Sequence, residues 1–171
     1  RLGKAAEAIP CFDNALLLDK KNTKTKLRMV HALYEQGRTY EVLDEDRKAI
    51  KCFEDALNID EENIDVLNEI AYAHQRFGEF DDSLRYLGKV LKIDERNSRA
   101  LDNMGFCYKG MKKYSMALET FEKANKLEER TGDKDFAARE IVDVHYLKKD
   151  DEKALEMANQ LISWVNIGLV E

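Results

Sequence analysis

The chain is 171 residues long, a length that suits one domain or a stack of small units. Its 28 lysines and arginines stand against 34 aspartates and glutamates, a formal charge of −6 that repels phosphate and argues against general binding of nucleic acid or an anionic membrane. At 44% hydrophobic and 36% charged it is too apolar for a disordered polymer, and a single proline (Pro10) leans the composition towards helix. The cysteines Cys11, Cys52 and Cys107 are odd in number and form no C-x-x-C pair, so neither a disulfide framework nor a structural zinc site is expected. No apolar run approaches the roughly 20 residues of a membrane helix, and residues 1–20 lack a signal-peptide pattern. A cytoplasmic location is the expectation, for a chain that begins at Arg1 and reads as an excised fragment.

Residues 1–22 read as the second helix of a unit whose first helix is missing, with Ala8-Ile9-Pro10-Cys11-Phe12 followed by Ala15, Leu18, Asp19 and Asn22. The same series returns as Ala49-Ile50-Lys51-Cys52-Phe53, then Ala56, Ile59, Asp60 and Asn63. Spacings of three, four and seven place these residues on one helical face. The small alanine marks close approach to a partner helix, and the aromatic one turn later is the knob. The polar stretch ending in Asp and Asn closes one helix and starts the next.

That second series closes a unit at 23–63, seven residues longer than the units after it. Seven residues are about two helical turns, which lengthen a helix while nearly keeping its face. Leu27, Val30, Leu33 and Gly37, then Tyr40 and Leu43, place the extension in the first helix. Residues 64–97 and 98–131 superpose at an offset of 34: Leu67 on Leu101, Ile70 on Met104, Ala71 on Gly105, His74 on Tyr108, Phe80 on Tyr114, Ser83 on Ala117 and Leu87 on Phe121. Each unit therefore predicts two antiparallel helices joined by a short turn near Gly78 or Gly110. A degenerate last unit, 135–168, follows three extra residues around Gly132; Ile141-Val142 and His145 mark its first helix, and Ala154, Ala158 and Leu161 its second.

The 34-residue pattern L-x-x-[IM]-[AG]-x-x-[HY], then [FY]-x-x-[AS]-x-x-x-[LF]-x-x-[AV], resembles the tetratricopeptide repeat. Residues 98–131 are the nearest copy, with Leu101, Met104-Gly105, Tyr108, Tyr114, Ala117, Phe121 and Ala124 at signature sites. The proline common after the second helix is missing, with Glu95 and Glu129 in its place, and leucine stands at the tryptophan site. The resemblance implies an all-α fold, a right-handed superhelical solenoid of antiparallel helix pairs sharing one elongated core, with first helices lining a concave groove.

Groove positions are those opposite the packing stripe: Asp65, Asn68, Glu69, Tyr72, Gln75 and Arg76, and at the next unit Arg99, Asp102, Asn103, Phe106, Lys109 and Gly110. The expected partner site is Asn68, Tyr72, Arg76, Arg99, Asn103, Phe106 and Lys109. Arg28, His31 and Tyr34 would flank it on one side, and Arg139, Asp143 and Tyr146 on the other. Tyr72 and Phe106 hold equivalent sites and would form an aromatic column, either receiving apolar anchors of a peptide or packing between first helices. Some tetratricopeptide domains grip acidic C-terminal tails of chaperones with Lys, Asn and Arg. Here only Asn103 fits that clamp in the central units, and Phe136 and Glu140 replace its later Lys and Arg, which disfavours carboxylate capture.

No catalytic constellation is present. His74 and His145 fall at the packing site held by Tyr108, and Cys11 and Cys52 precede equivalent phenylalanines as small hydrophobes. There is no phosphate loop, H-E-x-x-H or nucleophile elbow, and the acidic runs Asp44-Glu45-Asp46, Asp60-Glu61-Glu62 and Asp150-Asp151-Glu152 fall at helix boundaries, where carboxylates favour the next N-terminus. Neither cofactor nor metal is expected. Two ends look uncapped: Ile9, Phe12 and Leu16 at the start, and Leu161, Ile162, Trp164, Val165, Ile167, Leu169 and Val170 at the close. These features predict a non-enzymatic interaction module, an adaptor or scaffold binding a peptide or helix of a partner protein. The rivals are a docking arm of a larger enzyme and a homo-oligomer joined through the uncapped ends.

Overall fold

The computed structural model describes residues 10, 11, 14, 22–131 and 136–167, so most of the truncated unit, the Gly132 segment and the last four residues lie outside it. All regular structure among the described residues is helical. The helices are α1 (Thr23–Val42), α2 (Asp46–Leu57), α3 (Ile64–Arg76), α4 (Phe80–Ile93), α5 (Ser98–Gly110), α6 (Tyr114–Thr131), α7 (Phe136–Leu147) and α8 (Asp151–Ile167). They belong to two compact units, residues 1–93 and 94–171, each built from antiparallel helix pairs.

Asparagine starts the first helices. Asn22, Asn63 and Asn97 each leave the helical region and accept an N–H three residues on, from Thr25 (2.9 Å), Val66 (3.2 Å) and Ala100 (3.0 Å). Asp60 and Asp94 hold two of these caps in place by accepting from the Asn63 and Asn97 amides at 3.0 and 3.2 Å. The recurring Asp-x-x-Asn is thus a cap and its brace.

The turns inside the pairs share one device. Asp44, Gly78, Lys112 and Lys149 all take positive φ, at 55°, 73°, 59° and 61°. In each case the next residue donates its N–H to a carbonyl five residues back: Glu45 to Tyr40, Glu79 to His74, Lys113 to Tyr108 and Asp150 to His145. This is the Schellman closure, which satisfies carbonyls that a helix end leaves open. The left-handed residue lies two positions beyond Gly110, which ends α5 as an ordinary helical residue.

In the first unit α1 packs on α2, α2 on α3 and α3 on α4. Leu33, Ala49, Phe53 and Ala56 are buried in the first two helices, and Leu67, Ile70, Ala71, Leu87 and Val90 in α3 and α4. Helix α1 has 20 residues against 13 in α3, and its side chains from Met29 onward supply its buried face. In the second unit Ala117, Leu118, Phe121, Ile141 and Val144 form one cluster, with Phe106, Tyr108, Tyr114 and Met157 packed against it. Close approach is built in at two glycines. A Cβ on Gly37 would sit 2.5 Å from the Phe53 ring, and one on Gly105 2.5 Å from Phe121.

Candidate functional site

The face expected from the sequence to receive a partner is that of each first helix opposite its packing stripe. In the first unit it presents Asn68, Tyr72 and Arg76 on α3, in three different states. Asn68 is buried at 2% exposure, and its Oδ1 has no hydrogen-bond partner. Tyr72 stands 41% exposed between the buried Ala71 and Ala73. Arg76 is committed within the unit: Nη1 donates to Asp46 and Nη2 to Asp44, both at 2.8 Å.

Helices α1 and α3 are tied by polar groups across the same face. Tyr34 Oη donates to Glu69 Oε1 at 3.0 Å, and the Arg38 guanidinium reaches both Glu69 Oε2 at 3.2 Å and Glu41 Oε2 at 3.3 Å. Glu69 is 1% exposed and Glu41 8%. Burial, with the Glu69 carboxylate beside it, pushes the Glu41 carboxyl up to about 7. Local periodicity carries no signal for this tie, since its partners lie 31 to 35 residues apart.

In the second unit Arg99 is exposed, while Asn103, Phe106 and Lys109 are half-buried. Phe106 meets Phe121 edge-on, with ring centroids 5.5 Å apart. The Lys109 ammonium lies 5.6 Å from the Phe106 centroid, donates to Glu140 Oε2 at 2.7 Å and pairs with Asp143. Burial works against its charge, but the hydrogen bonds to Asp143 and Glu140 prevail and raise it above the ordinary lysine value. Lys109 is therefore a rung from α5 to α7, as Arg38 is from α1 to α3. Of the flanking residues, Arg28 and His31 on α1 and Arg139, Asp143 and Tyr146 on α7 are exposed.

Among the described residues one group could offer three ligand atoms to a cation: His74, Glu79 and Asp82, whose donor atoms lie within 4.8 Å of one another. Its chemistry is against a metal. Glu79 accepts from Arg47 at 2.6 Å, Asp82 accepts from Arg85 at 3.0 Å, and both guanidiniums would repel a cation. His74 contacts Glu79 through Nδ1 at 2.7 Å and stacks on Tyr86, and its Nε2 is buried without a partner. A metal on Nδ1 would force the ring proton onto that unsatisfied nitrogen. The group is an ion-pair network closing the α3–α4 turn. Hydrogen bonds from His74 and Arg47 hold the Glu79 carboxyl below the usual range. Cys52 and Cys107 are buried, and burial pushes the Cys52 thiol up to about 11, away from reactivity. No described helix is long and apolar enough to cross a membrane.

The tetratricopeptide repeat model matches residues 30–63 and 98–131. No curated protein matches the chain in sequence. Solved structures with the same fold include MamA from Desulfovibrio magneticus RS-1, 16% identical over 95% of this chain and 96% of that one, with a TM-score of 0.71. YrrB, described as a tetratricopeptide protein with an unusual peptide-binding site, is 24% identical over 94% of this chain and 78% of its own, at 0.69. The first repeat domain of RPAP3, bound to the HSP90 peptide SRMEEVD, is 18% identical over 70% of this chain and 93% of its own, at 0.64.

Proposed function

Starting from a chain with the tetratricopeptide fold and two matched repeats, we propose that it is a protein-interaction module, an adaptor or scaffold that takes a peptide or helix of a partner on its first helices. The observation that carries this reading is Tyr72, a large aromatic left 41% exposed on a helix whose neighbouring positions are buried. An exposed rigid aromatic flanked by polar groups suits an apolar anchor. The peptide complex of RPAP3 supports the reading, as does the binding site described for YrrB. Arg76 and Lys109 serve it as parts of the scaffold, because their charges are already matched, and the half-buried Asn103 would bond a ligand backbone. Phe106 contributes mainly by seating Phe121.

A random-peptide library panned against the immobilised full chain tests this. Peptides should be enriched, and Tyr72→Ala should release them while the helical circular-dichroism signal and melting temperature stay as in the parent. No enrichment, or peptides indifferent to Tyr72→Ala, would remove the first-helix face as the site.

A second reading, self-association through the last pair, is favoured by Leu155 and Ile162, seven residues apart on α8 and 64% and 58% exposed. Sedimentation equilibrium of the full chain showing only monomer at high concentration would dismiss it.

A further inference from the structure

Glu41 is buried in a place where its second oxygen has nothing to bond. Its side chain is 7% exposed, and Oε1 is buried without a hydrogen-bond partner, while Oε2 shares the Arg38 guanidinium with Glu69. The groups facing it come from all three helices. Arg38 lies one turn back on α1, Asp46 on α2, and Glu69 and Arg76 on α3. The Arg76 guanidinium is engaged by Asp44 and Asp46, and Glu69, whose side chain is 2% exposed, already takes bonds from Tyr34 and Arg38. Two buried carboxylates thus approach one half-exposed guanidinium. Two full negative charges there would repel each other, and the bare Oε1 would bear a charge with no donor.

We propose that the Glu41–Glu69 pair retains a single proton, carried on Glu41, and that this proton makes the tie between α1 and α3 a pH-sensitive latch. With Glu41 neutral, Arg38 serves Glu69 alone and the tie is closed. Loss of the proton places a second buried charge against Glu69 and loosens it. Tyr34 and Arg38, which hold the pair, also line an open recess of about 540 Å³ with Glu35, Thr39 and Val42, so the proton sets the charge presented beside that recess. The latch stands whether or not the first-helix face binds a peptide.

The direction follows from proton counting. The unfolded chain releases this proton near the ordinary glutamate value, about 4.3, whereas the folded chain keeps it to about 7. Across that window the folded state binds the extra proton, so stability falls as pH rises. The unfolding constant should grow by up to about tenfold per pH unit from this one group. The comparison is with Glu41→Gln, which keeps the shape and removes the proton. Urea unfolding of the full chain between about pH 5 and about pH 7 should show a shallower decline for Glu41→Gln than for the parent, by that slope. Parallel profiles would overturn the latch. Infrared spectra of the parent chain decide the matter even if Glu41→Gln does not fold. A protonated-carboxyl band should persist near neutral pH and vanish in mild alkali, and its absence near neutrality would equally overturn the proposal.

Discussion

The pairs α3–α4 and α5–α6 are the same object written twice, 34 residues apart, and they differ in how they fill equivalent buried positions. At equivalent positions the first pair carries Ala71 and Leu87 and the second Gly105 and Phe121, all buried. One methyl is given up on the first helix where the ring on the second helix needs the space; with Phe121 in place, a Cβ at Gly105 would fall 2.5 Å from it. At the turn, Gly78 and Lys112 adopt the same left-handed backbone, easy for one and strained for the other. At the site where α3 carries the gripped Glu69, α5 carries the half-buried Asn103. What recurs is backbone closure and total volume. Charge is free to vary.

The most damaging way to break this comparison is to empty the larger knob. Phe121→Ala should cost about 3–5 kcal/mol, at least as much as Leu87→Ala, at about 2–5 kcal/mol, read from urea unfolding of the full chain. A near-neutral Phe121→Ala would mean that the second pair is not held by that ring.

A subtler probe moves volume across the interface. Gly105→Ala should destabilise by about 1–3 kcal/mol through overpacking, although alanine favours a helix by up to about 1 kcal/mol over glycine. Combined with Phe121→Leu, it recreates the Ala71 and Leu87 arrangement, and the double variant should be more stable than the two single costs add up to. Strict additivity would show that the two residues do not trade space.

The smallest effect sharpens the turn. Lys112→Gly should stabilise by about 0.5–1 kcal/mol, because glycine takes the left-handed backbone without the Cβ penalty. Gly78→Ala should lose a similar amount, and thermal melts of both would reveal any failure of the parallel.

Much of this fold is legible in the residues. The stripes of Leu67, Ile70 and Ala71 and their copies at Leu101, Met104 and Gly105 announce paired helices, because helical spacing repeats within a few residues. The asparagine caps are equally local. Less visible is the left-handed site: glycine marks it only at Gly78, while Asp44, Lys112 and Lys149 occupy it elsewhere, imposed by the Schellman hydrogen bonds rather than by propensity. The candidate partner face was only partly readable. Tyr72 is where its spacing places it, exposed, but Asn68 is buried and Arg76 and Lys109 are matched by carboxylates. A helical wheel assigns a direction to a side chain and says nothing of what another helix brings to meet it.

The sequence by itself determined the helices, their pairing and the small-against-large contacts, since these depend on neighbours one or two turns away or one period on. Only the tertiary structure decided which charges are spent. Arg38 meets Glu69, and Lys109 meets Glu140, each pair 31 positions apart along the chain. An ion pair exists or fails within about 4 Å, a tolerance set by how two helices settle against each other, which no spacing along one chain encodes.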